Sequence, residues 1–435
     1  MSSKTKRFSK EEWSWIMYDW ANSVYATIMM AAVFPIYFTN IAETAGQSGD
    51  YWWGIATSIA MVIVAVMAPI VGAFSDYIGY RKKIFSVFLI IGIGFTVFSA
   101  VVDDWVLLLL GYALSHIGFA GSCLIYDSFL PDVTTPDRMD KVSGWGFALG
   151  YIGGSTIPFL ISIALIMFGE SFGIDTTMAV KLSVGLCAVW WAVFTVPFLK
   201  DVEQKNGINR TKGEAIVEKT FKSIWQTAQK IYLNKKLFYF IIAYFFYIDG
   251  VGTVINMSTT YGATLGLDST GMILALLVTQ IVAFPCSIWF ARLAEKLGSL
   301  KMLKFAIMEY LLICIVGFIM GFGLQEKWFG IGTATVLFWT LAVMVGTVQG
   351  GIQATSRSYY AQMVPADNSG EYFGFFDIFG KFASVMGPAL YAFSKGVTGR
   401  SDIAILSIVL LFAVALIIMW IGRKHFKEEA SSPGK

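Results

Sequence analysis

Charge is scarce in this chain. Only 14% of its 435 residues are Asp, Glu, Lys or Arg, while 56% are hydrophobic and 16% aromatic. A soluble domain of this size cannot cover so much apolar side chain with so few charges. Histidine occurs twice, at His116 and His425, and there is no Walker-type phosphate loop. No catalytic constellation and no ATP drive follow from that, so the chain does not read as an enzyme. The four cysteines (Cys123, Cys187, Cys286, Cys314) lie inside apolar blocks without paired spacing. They read as small core residues rather than a disulfide or metal framework, and neither a metal nor a cofactor is expected. The formal net charge of +3 means little as a total; its distribution matters more, and no nucleic-acid partner is expected.

What is abundant is long apolar sequence. The blocks run to about twenty residues, the length of a helix that spans a hydrocarbon core. They are continuous rather than alternating, which excludes a lipid-facing β-barrel. The first block is too long, and too polar at its start, for a secretory signal, and no small-residue cleavage site follows it. Twelve spans are predicted, at roughly 13–41, 52–76, 82–101, 105–128, 142–168, 180–199, 237–262, 270–292, 300–322, 329–355, 372–395 and 402–422. The loops sort by charge. Basic residues gather in the N-terminal tail (Lys4, Lys6, Arg7, Lys10), the second loop (Arg81, Lys82, Lys83), the 200–236 linker, the loop after the eighth span (Arg292, Lys296, Lys301, Lys304) and the tail (Arg423, Lys424, Lys427, Lys435). The intervening loops carry mostly acids, among them Glu43, Asp50, Asp103, Asp104, Glu170 and Asp175. By the positive-inside bias, both termini are expected in the cytoplasm.

The basic linker divides the chain into an N-terminal six-helix bundle (1–199), a cytoplasmic segment (200–236) and a C-terminal six-helix bundle with a short tail (237–435). Within Glu214–Leu233, the residues Val217, Phe221, Ile224, Trp225, Ala228 and Tyr232 fall at helical spacing. That pattern predicts an amphipathic helix at the membrane surface; the alternative is a flexible tether. The halves look like copies. Asp19 and Asp249 lie 230 positions apart, and Gly146-Phe147 and Gly374-Phe375 lie 228 apart. Asp76-Tyr77-Ile78-Gly79 with Lys82 is echoed by Glu295-Lys296-Leu297-Gly298 with Lys301. Parallel six-span repeats are a transporter architecture, with substrate held near the midplane.

The stretch Gly72-Ala73-Phe74-Ser75-Asp76-Tyr77-Ile78-Gly79-Tyr80-Arg81-Lys82-Lys83 resembles the loop signature of the major facilitator superfamily, between the second and third spans. Tyr18-Asp19-Trp20-Ala21-Asn22-Ser23, Phe129-Leu130-Pro131-Asp132 and the run Val142–Gly154 resemble hallmarks of the UMF1 family, which includes the fungal vacuole effluxer Atg22. Ser356-Arg357-Ser358, Phe373-Gly374-Phe375 and Gly380-Lys381-Phe382-Ala383-Ser384 are similar to that family's second-half motifs. The resemblance implies an all-α polytopic fold of twelve helices in two pseudo-symmetric halves, and export or exchange of small molecules; for the fungal relatives these are amino acids leaving the vacuole. It also implies that the first, fourth, seventh and tenth spans line a central cavity.

The polar residues fall mainly on those four spans. Asp19, Asn22 and Ser23 share one helical face by their spacing, in an otherwise apolar stretch with Tyr25. An ionisable group in such a setting is a functional candidate by default. Asp249 and Asn256 lie on the seventh span, and Gln349, Gln353 and Arg357 on the tenth. The expected substrate-binding set is Asp19, Asn22, Tyr25, Asp249, Asn256, Gln349 and Gln353. Asp19, Asp249 and His116 are the expected proton carriers, since burial in a membrane cavity favours a neutral acid. Asp76, Arg81, Asp127, Arg357, Asp377 and Lys381 are the expected gating residues. Each has a structural alternative: Asp19 as a helix-end acid, Asp249 as its symmetric twin, His116 as a packing residue, Asp127 with Arg357 as a salt bridge, and Asp377 with Lys381 as a local i, i+4 pair. Glu309 has no partner that the sequence identifies. Gly146, Gly150 and Gly154 form overlapping small-xxx-small repeats suited to close helix packing.

A mixed acid, amide and basic lining suits a small polar or zwitterionic solute. The expected protein is a secondary transporter, proton-coupled, monomeric, surrounded by membrane lipid in a plasma or inner membrane. The competing readings are a carrier of a lipid-like amphiphile and a receptor on a transporter fold. The topology is open to direct test: cysteines introduced at Ser2 and Ser432 are expected to resist impermeant thiol reagents in intact cells. Labelling of either from outside contradicts the orientation.

Overall fold

The computed structural model describes residues 7–209 and 216–427, apart from the side chains of 216–219, 269, 382–385 and 427. Sequence features at Lys4, Lys6, Glu214, Lys435, Ser2 and Ser432, and at the side chains of Val217, Phe382-Ala383-Ser384 and Lys427, lie outside that description. Among the described residues every regular element is a helix, and one isolated parallel bridge joins Tyr77 to Ile208.

Among the described residues, eleven helices are long and apolar enough to cross a membrane: Lys10–Thr44, Gly49–Ser75, Arg81–Val101, Trp105–Ser128, Pro136–Phe172, Thr176–Asp201, Lys235–Thr264, Thr270–Leu297, Ser299–Gln325, Ile331–Met363 and Ser401–Ile421. The remaining expected span falls on helix Ser369–Thr398, which has the length but also carries Glu371, Asp377, Lys381 and Lys395. Counting it, the described helices follow the twelve expected spans, which are numbered in chain order. Large apolar side chains such as Val66, Ile90 and Val189 stand 61–69% exposed. Hydrocarbon is the solvent that such a surface fits.

The chain divides into two compact units. One holds the residues up to Ile224 together with Val364–Gly374; the other holds Trp225–Met363 and the residues from Phe375 onward.

In the first unit, the opening helix is started by a capping box: Ser9 Oγ accepts from Glu12 N, and the Glu12 carboxylate accepts from Ser9 N. These contacts satisfy donors that a helix start leaves open. The first span then packs through aromatic rings. Trp15 stacks on Tyr126 at 4.4 Å and Tyr25 on Phe119 at 4.5 Å, while Trp191 Nε1 donates to Tyr18 Oη. Two spans are interrupted by π-helical turns, Ala26–Ala32 in the first and Gly150–Thr156 in the fifth. Such turns free backbone groups from the regular ladder and often mark functional positions. The fifth-span glycines lie against the first span. A Cβ on Gly154 would stand 2.6 Å from Ser23 Cβ and 2.7 Å from the Trp20 carbonyl.

In the second unit, Asn234 and Asp268 cap the seventh and eighth spans through their side chains. Tyr310 stacks on Phe412 at 5.4 Å and Tyr244 on Phe376 at 4.1 Å. The echoed loops both place a glycine at positive φ: Gly79 at +83° and Gly298 at +95°. Both positions require a residue without a Cβ, which is the physical content of the sequence echo.

Gly154→Ala is expected to force the first and fifth spans apart and to lower the stability of purified protein by about 1–3 kcal/mol, the range for overpacking a tight interior. Thermal unfolding in detergent checks it, and an unchanged midpoint contradicts the packing.

Candidate functional site

The most strongly built polar site in the first unit is a buried charge cluster around the second loop. Asp76, Arg81 and Asp132 have side chains no more than 1% exposed. The Arg81 guanidinium bridges the two acids: Nη2 donates to Asp76 Oδ1 at 2.7 Å, and Nη1 to Asp132 Oδ2 at 2.6 Å. Two acids against one cation leave an excess negative charge, and backbone donors meet it. Asp76 accepts from Gly370 N at 2.7 Å and Glu371 N at 2.9 Å. These amides belong to the first turn of helix Ser369–Thr398, which supplies no partner of its own; the helix dipole favours an anion there. Asp132 Oδ1 accepts from Lys205 N at 3.1 Å and from Asn206 N and Asn206 Nδ2, both at 2.8 Å.

The start of the linker is held to the same cluster. Gln204 Oε1 accepts from Gly79 N at 2.9 Å, and its Nε2 donates to the Ser75 carbonyl at 3.1 Å. Ile208 N donates to the Asp76 carbonyl at 2.8 Å, and Ile78 N to the Ile208 carbonyl at 3.1 Å. Small residues permit the approach of Val364–Gly374, since a Cβ on Gly72 would lie 2.1 Å from the Gly370 carbonyl oxygen. Burial pushes the Asp76 carboxyl up to about 7, against the pull of Arg81 and the two amides. It pushes Asp132 up as well, again against Arg81. Arg81, the four backbone amides and the Asn206 side-chain amide all donate to these carboxylates, so the arrangement accommodates the ionised forms.

Elsewhere in this unit the sequence candidates are placed as follows. Asp19 and Asn22 are buried, at 8% and 7% exposure, beside the fifth-span π-turn. Ser23 Oγ donates to the Asp19 carbonyl at 2.7 Å. Tyr25 shares a hydrogen bond of 2.7 Å with Ser115. His116, next in sequence to Ser115, is buried between the rings of Tyr112 and Phe119. Asp127 is half-buried at the end of the fourth span.

In the second unit, Asp249 is 1% exposed, and both its oxygens face one backbone amide, Gly387 N, at 3.0 and 2.9 Å. Gly387 immediately precedes Pro388, which lies inside its helix. A proline cannot donate to the helical ladder, so the carboxylate grips the eleventh helix where that ladder is weakest. Gln349 and Gln353 lie one turn apart on the tenth span, and Gln353 Nε2 donates to the Gln349 main-chain carbonyl at 3.2 Å. Asn256 is exposed, and Arg357 is buried at 4%. Asp377 and Lys381 form a half-buried i, i+4 pair at 2.5 Å. Glu309 finds its partner in Thr347, whose hydroxyl donates at 2.6 Å. A cavity of about 90 Å³, lined chiefly by apolar residues such as Val254, Phe338, Leu341 and Ile405, has Gln280 and Gln349 in its wall.

Sequence reasoning missed Asp132, Gln204 and Asn206 as site residues. Asp132 stood within a family-like motif, but nothing in the linker's spacing marks Gln204 or Asn206.

Solved structures give the fold an independent frame. The chain superposes on the human organic anion transporter MFSD10 with a TM-score of 0.67, covering 94% of this chain and 99% of that one at 13% identity. It superposes on the major facilitator transporter FucP with a TM-score of 0.64, covering 96% and 98% at 13% identity. The fold is that of a major facilitator membrane transporter. The chain belongs to the vacuole effluxer Atg22-like family, whose profile matches residues 54–430. It is 44% identical over 421 residues, 95% of either chain, to the uncharacterized MFS-type transporter YxiO of Bacillus subtilis. It is 25% identical over 291 residues to autophagy-related protein 22 of Cryptococcus neoformans, covering 64% of this chain and 49% of that protein. The chain thus spans about half the length of that fungal relative. The protein is a multi-pass membrane transporter, and its relatives are transporters rather than enzymes.

Arg81→Gln leaves Asp76 and Asp132 buried without their cation. Breaking a buried pair from one side costs about 3–5 kcal/mol, so a fall of that order in unfolding free energy is expected, with Arg81→Lys intermediate because an ammonium lacks the bridging fork. Equal stability of Arg81→Gln and the parent in detergent contradicts the cluster's role.

Proposed function

We propose that this protein is a secondary transporter that moves a small polar or zwitterionic solute, with amino acids as the first class to test, by alternating access. The observation that carries the reading is the Asp19–Asn22 face of the first span: two polar side chains, one ionisable, buried within a membrane-spanning helix beside a π-turn. An acid in that position is retained for a task or for a partner. The second unit offers its own polar set in Gln349 and Gln353 on the tenth span. Acid and amide groups together match a solute that carries both donors and acceptors. Tyr25 and Asn256 complete the proposed substrate contacts.

Proton coupling is the proposed drive. Asp19, Asp249 and His116 are the proposed carriers. A proton on Asp249 would remove the charge that holds Gly387 N and so loosen the eleventh helix at Pro388. Among the proposed gating residues, Asp76 and Arg81 hold the helix start at Gly370 and Glu371. Asp127, Arg357, Asp377 and Lys381 are proposed to follow the same cycle. The setting is a plasma membrane, with both termini in the cytoplasm and the monomer as the working unit. The apolar cavity of the second unit supports one other reading, a lipid-like amphiphile whose tail occupies it.

Reconstituted proteoliposomes test the scheme. An imposed pH gradient is expected to drive accumulation of an amino-acid mixture; Asp19→Asn is expected to lose that drive while keeping exchange, and Asp19→Ala to abolish both. Accumulation indifferent to the gradient and to protonophore ends the proton-coupled reading. Movement of labelled lysolipid in place of amino acids favours the amphiphile.

A further inference from the structure

A different surface stands out on the second unit. Where the linker helix Ile216–Leu233 leads into the seventh span, Trp225, Tyr232 and Leu233 are 68%, 58% and 70% exposed. Trp225 and Tyr232 are seven residues apart, hence on one face, while Thr227 and Ile231 are buried on another side. An exposed aromatic face beside a buried one is not explained by packing within the unit.

The face continues onto neighbouring elements. Tyr232 meets Phe238 edge-on at 5.4 Å, Phe238 meets Tyr239 at 5.9 Å, and Tyr239 stacks on His425 at 5.7 Å. The start of the seventh span and the residues after the twelfth therefore lie side by side. Cations sit over rings of both stretches: Lys235 Nζ is 4.4 Å from the Tyr232 centroid, and the Arg423 guanidinium is 4.2 Å from that of Trp420, itself 62% exposed. The stretches 225–239 and 420–427 hold Lys230, Lys235, Lys236, Arg423, Lys424 and Lys427 and no acid at all.

Two membrane-spanning helices end at this patch, so it stands at the height of lipid headgroups. Aromatic rings with one apolar and one polar edge favour that depth, and clustered Lys and Arg attract anionic phosphates there. We propose that this basic aromatic surface is a binding site for anionic phospholipid, with the headgroup phosphate held by Lys235, Lys236 and Arg423 and the upper acyl chain against Trp225, Tyr232 and Trp420. The lipid thereby joins the end of the linker helix to the seventh and twelfth spans of the same unit.

Purified, delipidated full-length protein in neutral detergent tests the proposal when titrated with phosphatidylglycerol or phosphatidylcholine. Phosphatidylglycerol is expected to raise the thermal midpoint and phosphatidylcholine to leave it nearly unchanged, with the difference shrinking in high salt as electrostatic attraction is screened. The variant K235Q/K236Q/R423Q is expected to bind phosphatidylglycerol at least about fivefold more weakly, while Lys82→Gln with Lys83→Gln, in the basic loop of the other unit, keeps the parent affinity. Equal responses of the parent protein to both lipids overturn the proposal, a comparison that needs no variant. So does full phosphatidylglycerol affinity in the triple variant, or binding of an acidic peptide with no response to lipid.

Discussion

The first unit depends on one arrangement, a single guanidinium buried between two carboxylates. Arg81 holds Asp76 and Asp132 within 2.7 Å. Each acid then spends its remaining acceptor capacity on backbone amides: those of Gly370 and Glu371 for Asp76, and those of Lys205 and Asn206 for Asp132. Removing charge from water is expensive. Hydrogen bonds to both carboxylates are what make it tolerable, and the consequence is architectural. The beginning of the linker is fixed to Asp132, on the short helix Leu130–Val133, and the beginning of helix Ser369–Thr398 to Asp76, because one guanidinium leaves these two acids with excess negative charge. The fixed backbone also explains the glycines. Gly72 and Gly370 are within reach of each other's backbone, and any side chain there would pull the amides away from Asp76.

The same rule applies inside the spans, where no water satisfies a stray polar group. Serines and threonines return their hydroxyls to carbonyls in their own helices, as Ser183 does to Ala179 and Ser287 to Ala283. Glu309 takes the hydroxyl of Thr347, and Asp249 takes the amide of Gly387. Asp249 differs from the others because its partner is the main chain of another helix at a proline. A change in its charge therefore acts on backbone geometry rather than on a side chain alone.

Much of this was legible in the sequence. Block length and composition gave the helical membrane class. The Asp76–Gly79 loop was recognisable by its resemblance to a family signature, and the structure gives its glycine, acid and arginine each a local reason: a turn with positive φ, a helix end and a partner five residues on. The small residues of the fifth span announced a close helix contact, and Gly150 and Gly154 do face the first span. The partners that decide the site were not legible. Asn206 and Asp132 are 74 positions apart, and Asp249 and Gly387 are 138 apart; neither pair has any periodic signature. Backbone amides carry no sequence signal, so an acid that caps a distant helix looks the same on paper as an acid awaiting a substrate. Thr347, a neutral residue, hid the answer to Glu309 for a similar reason.

The central claim is that the buried charge of Asp76 is what holds the start of the eleventh helix to the first unit. Hydrogen–deuterium exchange at the Gly370 and Glu371 amides measures that contact directly. In the parent protein these amides are expected to exchange slowly, and in Asp76→Asn, with the protein still folded, at least about tenfold faster, the equivalent of 1.4 kcal/mol. Identical exchange in the two proteins would contradict the account.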